Sequence, residues 1–438
     1  AGIAAVISLI VPIQMVSQTW DDHDRSGRYT CRDFGKNYLT SVDENGIIFT
    51  NGDNDTFPLW YAQETEGYRT DVRVCNLSYL QTDWYVNQMK SQAYESDPLP
   101  ISMEELQYGN KKREYAYILD RVDYPVSVKM AMDYFLSDDE RTKTIPGYGK
   151  INHLPTGELF IDIDKEKILK SGIVPKGYEN KIVDRIDLSF KDKNTLILND
   201  LAIIDLLSTN AETGWKRPVY FATTVDPSFF TETDKYFMRT GMAYEVVPVK
   251  LENTPGRYQV NTDKMYDNVM NKFVWGGIDV NPDIYLDETI RRMCYSYRIM
   301  FIDLIDQLIQ EGKTDKALKA LDYCMEKIPG DVVLHNYISL QLAMDYYFLK
   351  QNEKGKALLE KIADSAIEYV TWINSLDNNK KRSVQRDYYY NERALAEQVI
   401  PMFYRFGDEE SGKKYLEKAA LAGVDINRYF KIDTSKTN

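Results

Sequence analysis

The segment Ile47 to Lys90, IIFTNGDNDTFPLWYAQETEGYRTDVRVCNLSYLQTDWYVNQMK, constrains the fold more than any other part of the chain. Ile47, Ile48 and Phe49 are β-branched or aromatic, and the NGDND run from Asn51 to Asp55 tolerates turn geometry, so a strand ends at about Thr50. Pro58 fits the first turn of a helix, with Asp55 or Thr56 as its cap and Leu59, Trp60, Tyr61 and Glu64 within it. Val72, Val74, Asn76 and Leu77 read as a second strand, and Asp83 to Met89 as a second helix. Strand, helix, strand, helix at this spacing is a parallel βαβ unit. It sets the acidic turn at the carboxyl end of its first strand, where open α/β sheets bind ligands.

Asn51, Asp53, Asn54 and Asp55 therefore form a candidate binding turn. Carboxylates two residues apart can hold a divalent cation that bridges a diphosphate, the arrangement of metal-dependent sugar-nucleotide chemistry. The same spacing recurs at Asp22 with Asp24 and at Asp162 with Asp164 in a chain with 67 acidic residues, so it identifies nothing alone. The structural alternative is that these side chains accept backbone N–H groups and cap the following helix.

Composition closes off several functions. Six Trp, 33 Tyr and 16 Phe in 438 residues fill cores for two or three domains. A formal charge of −13 with no basic stripe argues against nucleic-acid binding. Cys31, Cys75, Cys294 and Cys324 lack metal spacing, and His23, His153 and His335 are scattered, so no zinc site and no resident cofactor is expected. Cys75, Cys294 and Cys324 read as buried small hydrophobes. No nucleophile-elbow, P-loop or dinucleotide glycine motif is present.

Beyond the βαβ unit, Leu159 to Ile163 reads as a strand, Val126 to Phe135 as strand or helix, Asn199 to Ser208 as a helix and Val219 to Ala222 as a strand. Met242 to Leu251 is strand-like, with Pro248 confining it to an edge or an end. From Glu288 the pattern is helical. Ala317, Leu321, Cys324 and Ile328 share one face of a helix ended by Pro329-Gly330, and the polar-turn-then-helix string at Glu311 is echoed at Lys350 and Phe406. Stacked hairpins of the tetratricopeptide kind would leave a concave surface for an extended polypeptide, and a plain helical bundle is the alternative.

The strings WDDHDRS at Trp20, TNGDNDTFPLWY at Thr50, TDVRVCNLSYLQTDWY at Thr70, RPVYFATTV at Arg217 and WGGIDVNPDIYLDE at Trp275 resemble a bacterial family of multi-spanning membrane proteins. That family, once a domain of unknown function, is described as protein O-mannosyltransferase-like glycosyltransferases. The matches lie in the family's region after its transmembrane part. The resemblance implies that the membrane half takes a sugar from a polyprenyl-phosphate carrier and passes it to a protein hydroxyl, so no catalytic residue is carried over here.

Ala1 to Val16 carries no charge, and at sixteen residues it falls short of the roughly twenty that span a bilayer, so it reads as the end of a spanning helix. Asp21, Asp22, His23, Asp24 and Arg25 then form a candidate polar cluster at an extracytoplasmic membrane surface, since cytoplasmic flanks favour Lys and Arg.

The expected layout is a transmembrane-helix end over 1–19, an α/β domain of βαβ units with a mixed sheet over 20–287, and an all-α tetratricopeptide-like domain over 288–438. Three functions fit it. The region belongs to a membrane glycosyltransferase of the bacterial inner membrane, facing the periplasm, and assists acceptor-protein binding or covers the active site. Or it is a non-enzymatic helical-repeat scaffold. Or Asp53 and Asp55 form a metal-dependent sugar-nucleotide site.

Overall fold

The computed structural model describes residues 2–147 and 149–425, with the side chains of 21–22 and 387–389 outside that description. Two compact units are present, Cys31–Gly276 on one hand and the segment to Thr30 with the chain from Gly277 on the other.

The apolar N-terminus is a helix, α1 (Gly2–His23), longer than the sequence reading allowed. The hydroxyls of Ser17 and Thr19 extend it by donating to the carbonyls of Gln14 (2.9 Å) and Met15 (2.7 Å), which satisfies them without water. The stretch Gly2–Trp20 is long and apolar enough to cross a membrane, and none of it is buried within the protein.

The Cys31–Gly276 unit is built on a six-stranded mixed sheet. Its strands are β1 (Ile47–Thr50), β2 (Arg73–Asn76), β3 (Val219–Ala222), β4 (Phe237–Arg239), β5 (Ala243–Val246) and β6 (Gln259–Val260). They lie in the order β6-β4-β5-β3-β1-β2. β1 runs parallel to both neighbours, Ile48 facing Val74 on one side and Tyr220 on the other. A strand in that position is covered on both faces, which is why Ile47, Ile48 and Phe49 are fully buried. β5 stops two residues before Pro248, in keeping with the missing N–H of proline.

Helices α2 (Thr30–Thr40), α3 (Asp53–Glu66), α4 (Asp83–Met89) and α5 (Leu198–Glu212) pack around this sheet. α3 begins at least three residues earlier than expected, behind Gly52 at φ 86°, ψ 170°, with no side-chain cap. That backbone region is open only to glycine, so the turn and not a carboxylate starts the helix. Gly67 at φ 60° ends it, its N–H and that of Tyr68 returning to the carbonyls of Gln63 and Ala62. The ambiguous stretch from Val126 resolves into a two-residue strand followed by a helix, Val128–Leu136, because the Ser127 hydroxyl accepts the Met130 N–H at 3.3 Å. The expected strand near Leu159 is Glu158–Asp162, and it lies between Val126–Ser127 and Arg185–Ser189 in a smaller sheet.

In the other unit, α6 (Glu288–Gln310) and α7 (Thr314–Lys327) pair, as do α8 (Ser339–Phe348) with α9 (Asn352–Ser375) and α10 (Ile400–Arg405) with α11 (Glu409–Leu421). One turn closes all three hairpins. The left-handed residue is Gly312, Lys350 or Gly407, and the next N–H reaches back five residues, Lys313 to Leu308, Gln351 to Tyr346 and Asp408 to Phe403. The polar strings that echo one another in sequence are these turns. Gly312 and Lys350 are 38 residues apart, Lys350 and Gly407 57, so the hairpins recur without a fixed period.

Candidate functional site at the carboxyl ends of the parallel strands

At the carboxyl ends of β1 and β3 the chain leaves in opposite directions across the sheet, through α3 toward β2 and from β3 toward β5. Such a reversal opens a crevice in an α/β sheet. Asp55, third residue of α3, stands at these strand ends and is 6 % exposed. Its carboxyl accepts from the Thr224 hydroxyl and the Asn51 N–H, and burial pushes it up to about 6 despite both bonds. The Thr224 hydroxyl lies 2.8 Å from the hydroxyl of Tyr38 on α2. Burial, with the Asp55 charge second, raises that phenol well above its ordinary range. A carboxyl that changes charge near neutrality, chained through a hydroxyl to a buried phenol, can hold or pass a proton or accept from a ligand hydroxyl.

Beside it the ends of β1 and β2 are laced together. Thr56 donates to the Gly52 carbonyl at 2.8 Å and accepts from the Thr50 hydroxyl and the Asn76 amide, each at 2.8 Å. The Asn51 side-chain oxygen accepts the Ser78 hydroxyl at 2.7 Å. Nothing lies within 4 Å of where a Gly52 Cβ would be, so the backbone conformation and not crowding calls for glycine there.

Asn51 and Asp55 are thus brought together, while Asp53 and Asn54 are exposed. Residues two apart on a helix point to different sides, so Asp53 and Asp55 do not converge on one cation. Among the described residues no three His, Cys, Asp or Glu side chains gather as a metal site would require. The candidate cluster near residue 21 belongs to the other compact unit. The side chains of Asp21 and Asp22 lie outside the described residues. His23 Nδ1 contacts the Thr19 carbonyl at 2.9 Å, Asp24 accepts the Ser26 N–H and hydroxyl at 2.7 and 2.6 Å, and Arg25 is exposed.

Sequence reasoning missed Tyr38 and Thr224. Thr224 stands just past a predicted strand, which was a usable signal, whereas nothing local marks Tyr38.

The amino ends of the same strands do different work. Arg217 donates to the Asn45 carbonyl at 2.9 Å, to the carbonyls of Asp97 and Pro98 at 2.5 and 3.0 Å, and to the Ser96 hydroxyl at 3.1 Å. Lys264 bridges Asp43 at 2.5 Å and Glu245 at 3.0 Å, and the buried Tyr220 hydroxyl lies 2.9 Å from each carboxylate. Asn37 exchanges two bonds with Val274 at 2.8 and 3.0 Å, and Asp33 accepts the Gly276 N–H at 2.7 Å.

The fold defines a mixed-sheet α/β domain with a buried carboxyl–hydroxyl–phenol chain at its parallel strand ends. Its sequence narrows this further. The family model described as TMEM260-associated domain 2 matches residues 31–264, more than half of the chain, and the chain belongs to that family. No curated protein and no solved structure matches it.

Proposed function

We propose that this chain is the extracytoplasmic region of a membrane protein O-glycosyltransferase, in which it engages acceptor protein or covers the active site and does not make the glycosidic bond alone. The observation that carries this is the family match over 31–264, because TMEM260 is a proposed protein O-mannosyltransferase. The exposed apolar helix α1 supplies an anchor, and the paired helices from Glu288 supply surface on which a polypeptide can lie. In this reading the protein sits in a bacterial inner membrane with this region in the periplasm, its donor is a polyprenyl-phosphate sugar, and its partners are acceptor proteins. In this reading Asp55 and Thr224 receive a ligand hydroxyl, and the hydrogen bond between them supports it.

The test is a glycoproteome comparison between the native host, a strain lacking the full-length gene, and that strain carrying Asp55→Asn or Thr224→Val in the full-length protein. Loss of O-linked hexose in the deletion strain, restored by the native gene and reduced several-fold in the variants, is expected. Unchanged glycoproteins in the deletion strain would overturn the reading.

A further inference from the structure

Along the outer side of α3 and β2 lies a cleft of about 590 Å³ that the crevice chemistry does not use. Its size falls in the range of small-molecule sites, about 300–1,000 Å³. Rings form its wall in a continuous strip. Trp60 stacks toward Tyr79 (6.1 Å, 19°), and Tyr79 meets Trp84 (6.1 Å, 44°). Trp84 and Tyr94, which also line the cleft, are 55 % and 59 % exposed. Large rings held this open to water need a reason outside the core.

Arg73 of β2 lines the same cleft and is 5 % exposed. One terminal nitrogen of its guanidinium bonds the carbonyls of Ser91 and, at 3.4 Å, Met89, yet its Nε is buried with no hydrogen-bond partner among the described residues. A buried N–H left unpaired costs about 1–3 kcal/mol, a cost that a ligand oxygen would remove. Glu64 and Gln88 add a carboxylate and an amide to the lining.

We infer that this cleft binds a neutral saccharide, with pyranose faces on the exposed rings and a hydroxyl oxygen on Arg73 Nε. An amphipathic ring offers an apolar face and a polar edge, which matches a sugar's C–H face and its hydroxyls. A purely apolar peptide would leave the Arg73 donor unpaired. A phosphate-bearing nucleotide would meet one already engaged guanidinium and the Glu64 carboxylate. The inference rests on the cleft alone and does not need the transferase reading.

Calorimetric titration of the full chain with mannotriose, chitotriose and cellotriose tests it, with AMP and an apolar heptapeptide as competing classes. Saturable binding of at least one trisaccharide is expected, weakened tenfold or more by Trp84→Ala and by Tyr94→Ala. Both side chains are more than half exposed, so these variants keep the fold, which circular dichroism checks. Arg73→Lys retains charge without the Nε donor, and it is expected to lose several-fold in affinity. Absence of binding by all three trisaccharides, binding of AMP or the heptapeptide instead, or undiminished affinity in Trp84→Ala would overturn the assignment. Trisaccharide binding alongside an unaltered glycoproteome would fail the transferase reading and leave the cleft assignment standing.

Discussion

Asp55 shows how a single side chain is rewritten by its surroundings. In the unfolded chain its pKa is about 3.9, and in the folded protein burial lifts it to about 6. The folded state therefore keeps a proton that the unfolded state has released between about pH 4 and pH 6. Stability falls as pH rises through that window and is lowest, from this group, above it. Asp55→Asn should accordingly raise the melting temperature at pH 7 and change it little at pH 4; equal shifts at both would show that the carboxyl carries no such proton. Lys264 presents the opposite case, a cation between two carboxylates. Removing one partner of a buried pair costs about 3–5 kcal/mol because a charge is stranded. Lys264→Met leaves Glu245, which burial already pushes up, without its cation. Denaturant melts should show a loss of several kcal/mol at pH 7 that shrinks under acid conditions, where Glu245 takes up a proton.

At the scale of elements, close backbone approach and turn handedness decide more than propensity. A Cβ on Gly35 of α2 would lie 2.3 Å from the Pro58 carbonyl oxygen of α3, so the two helices touch through bare backbone. Gly35→Ala must push them apart and should destabilise by about 1–3 kcal/mol or more, as overpacked cores do. That displacement also moves Tyr38 and Asp55, so an altered pH dependence should accompany the lower melting point. The hairpin turns make a gentler test. Gly312 and Gly407 occupy the left-handed position at little cost, while Lys350 holds it at φ 60°. Lys350→Gly should stabilise the chain by about 1 kcal/mol. An unchanged or lower denaturation midpoint would mean that the Lys350 side chain contributes there.

For the whole molecule, α1 sets the boundary condition. Ile3, Val6, Ile10 and Ile13 on it are each at least 60 % exposed, and water does not tolerate such apolar area over nineteen residues. Deleting residues 2–20 should move the protein from sedimenting vesicles to the supernatant; retention on the vesicles would place the anchor elsewhere. The sequence by itself determined the short apolar runs and the period-3.6 segments: the βαβ start at Ile47, the strand at Val219, the helix at Asp83 and the paired helices after Glu288. These are legible because they depend on neighbours a few residues away. It also marked the Asn51–Asp55 turn, since Asn, Gly and Asp declare loop geometry locally. Only the tertiary structure decided that β1 and β3 are parallel partners 172 residues apart. That pairing sets Thr224 against Asp55. Such juxtapositions arise from long-range packing, in which no residue carries the identity of its eventual neighbour.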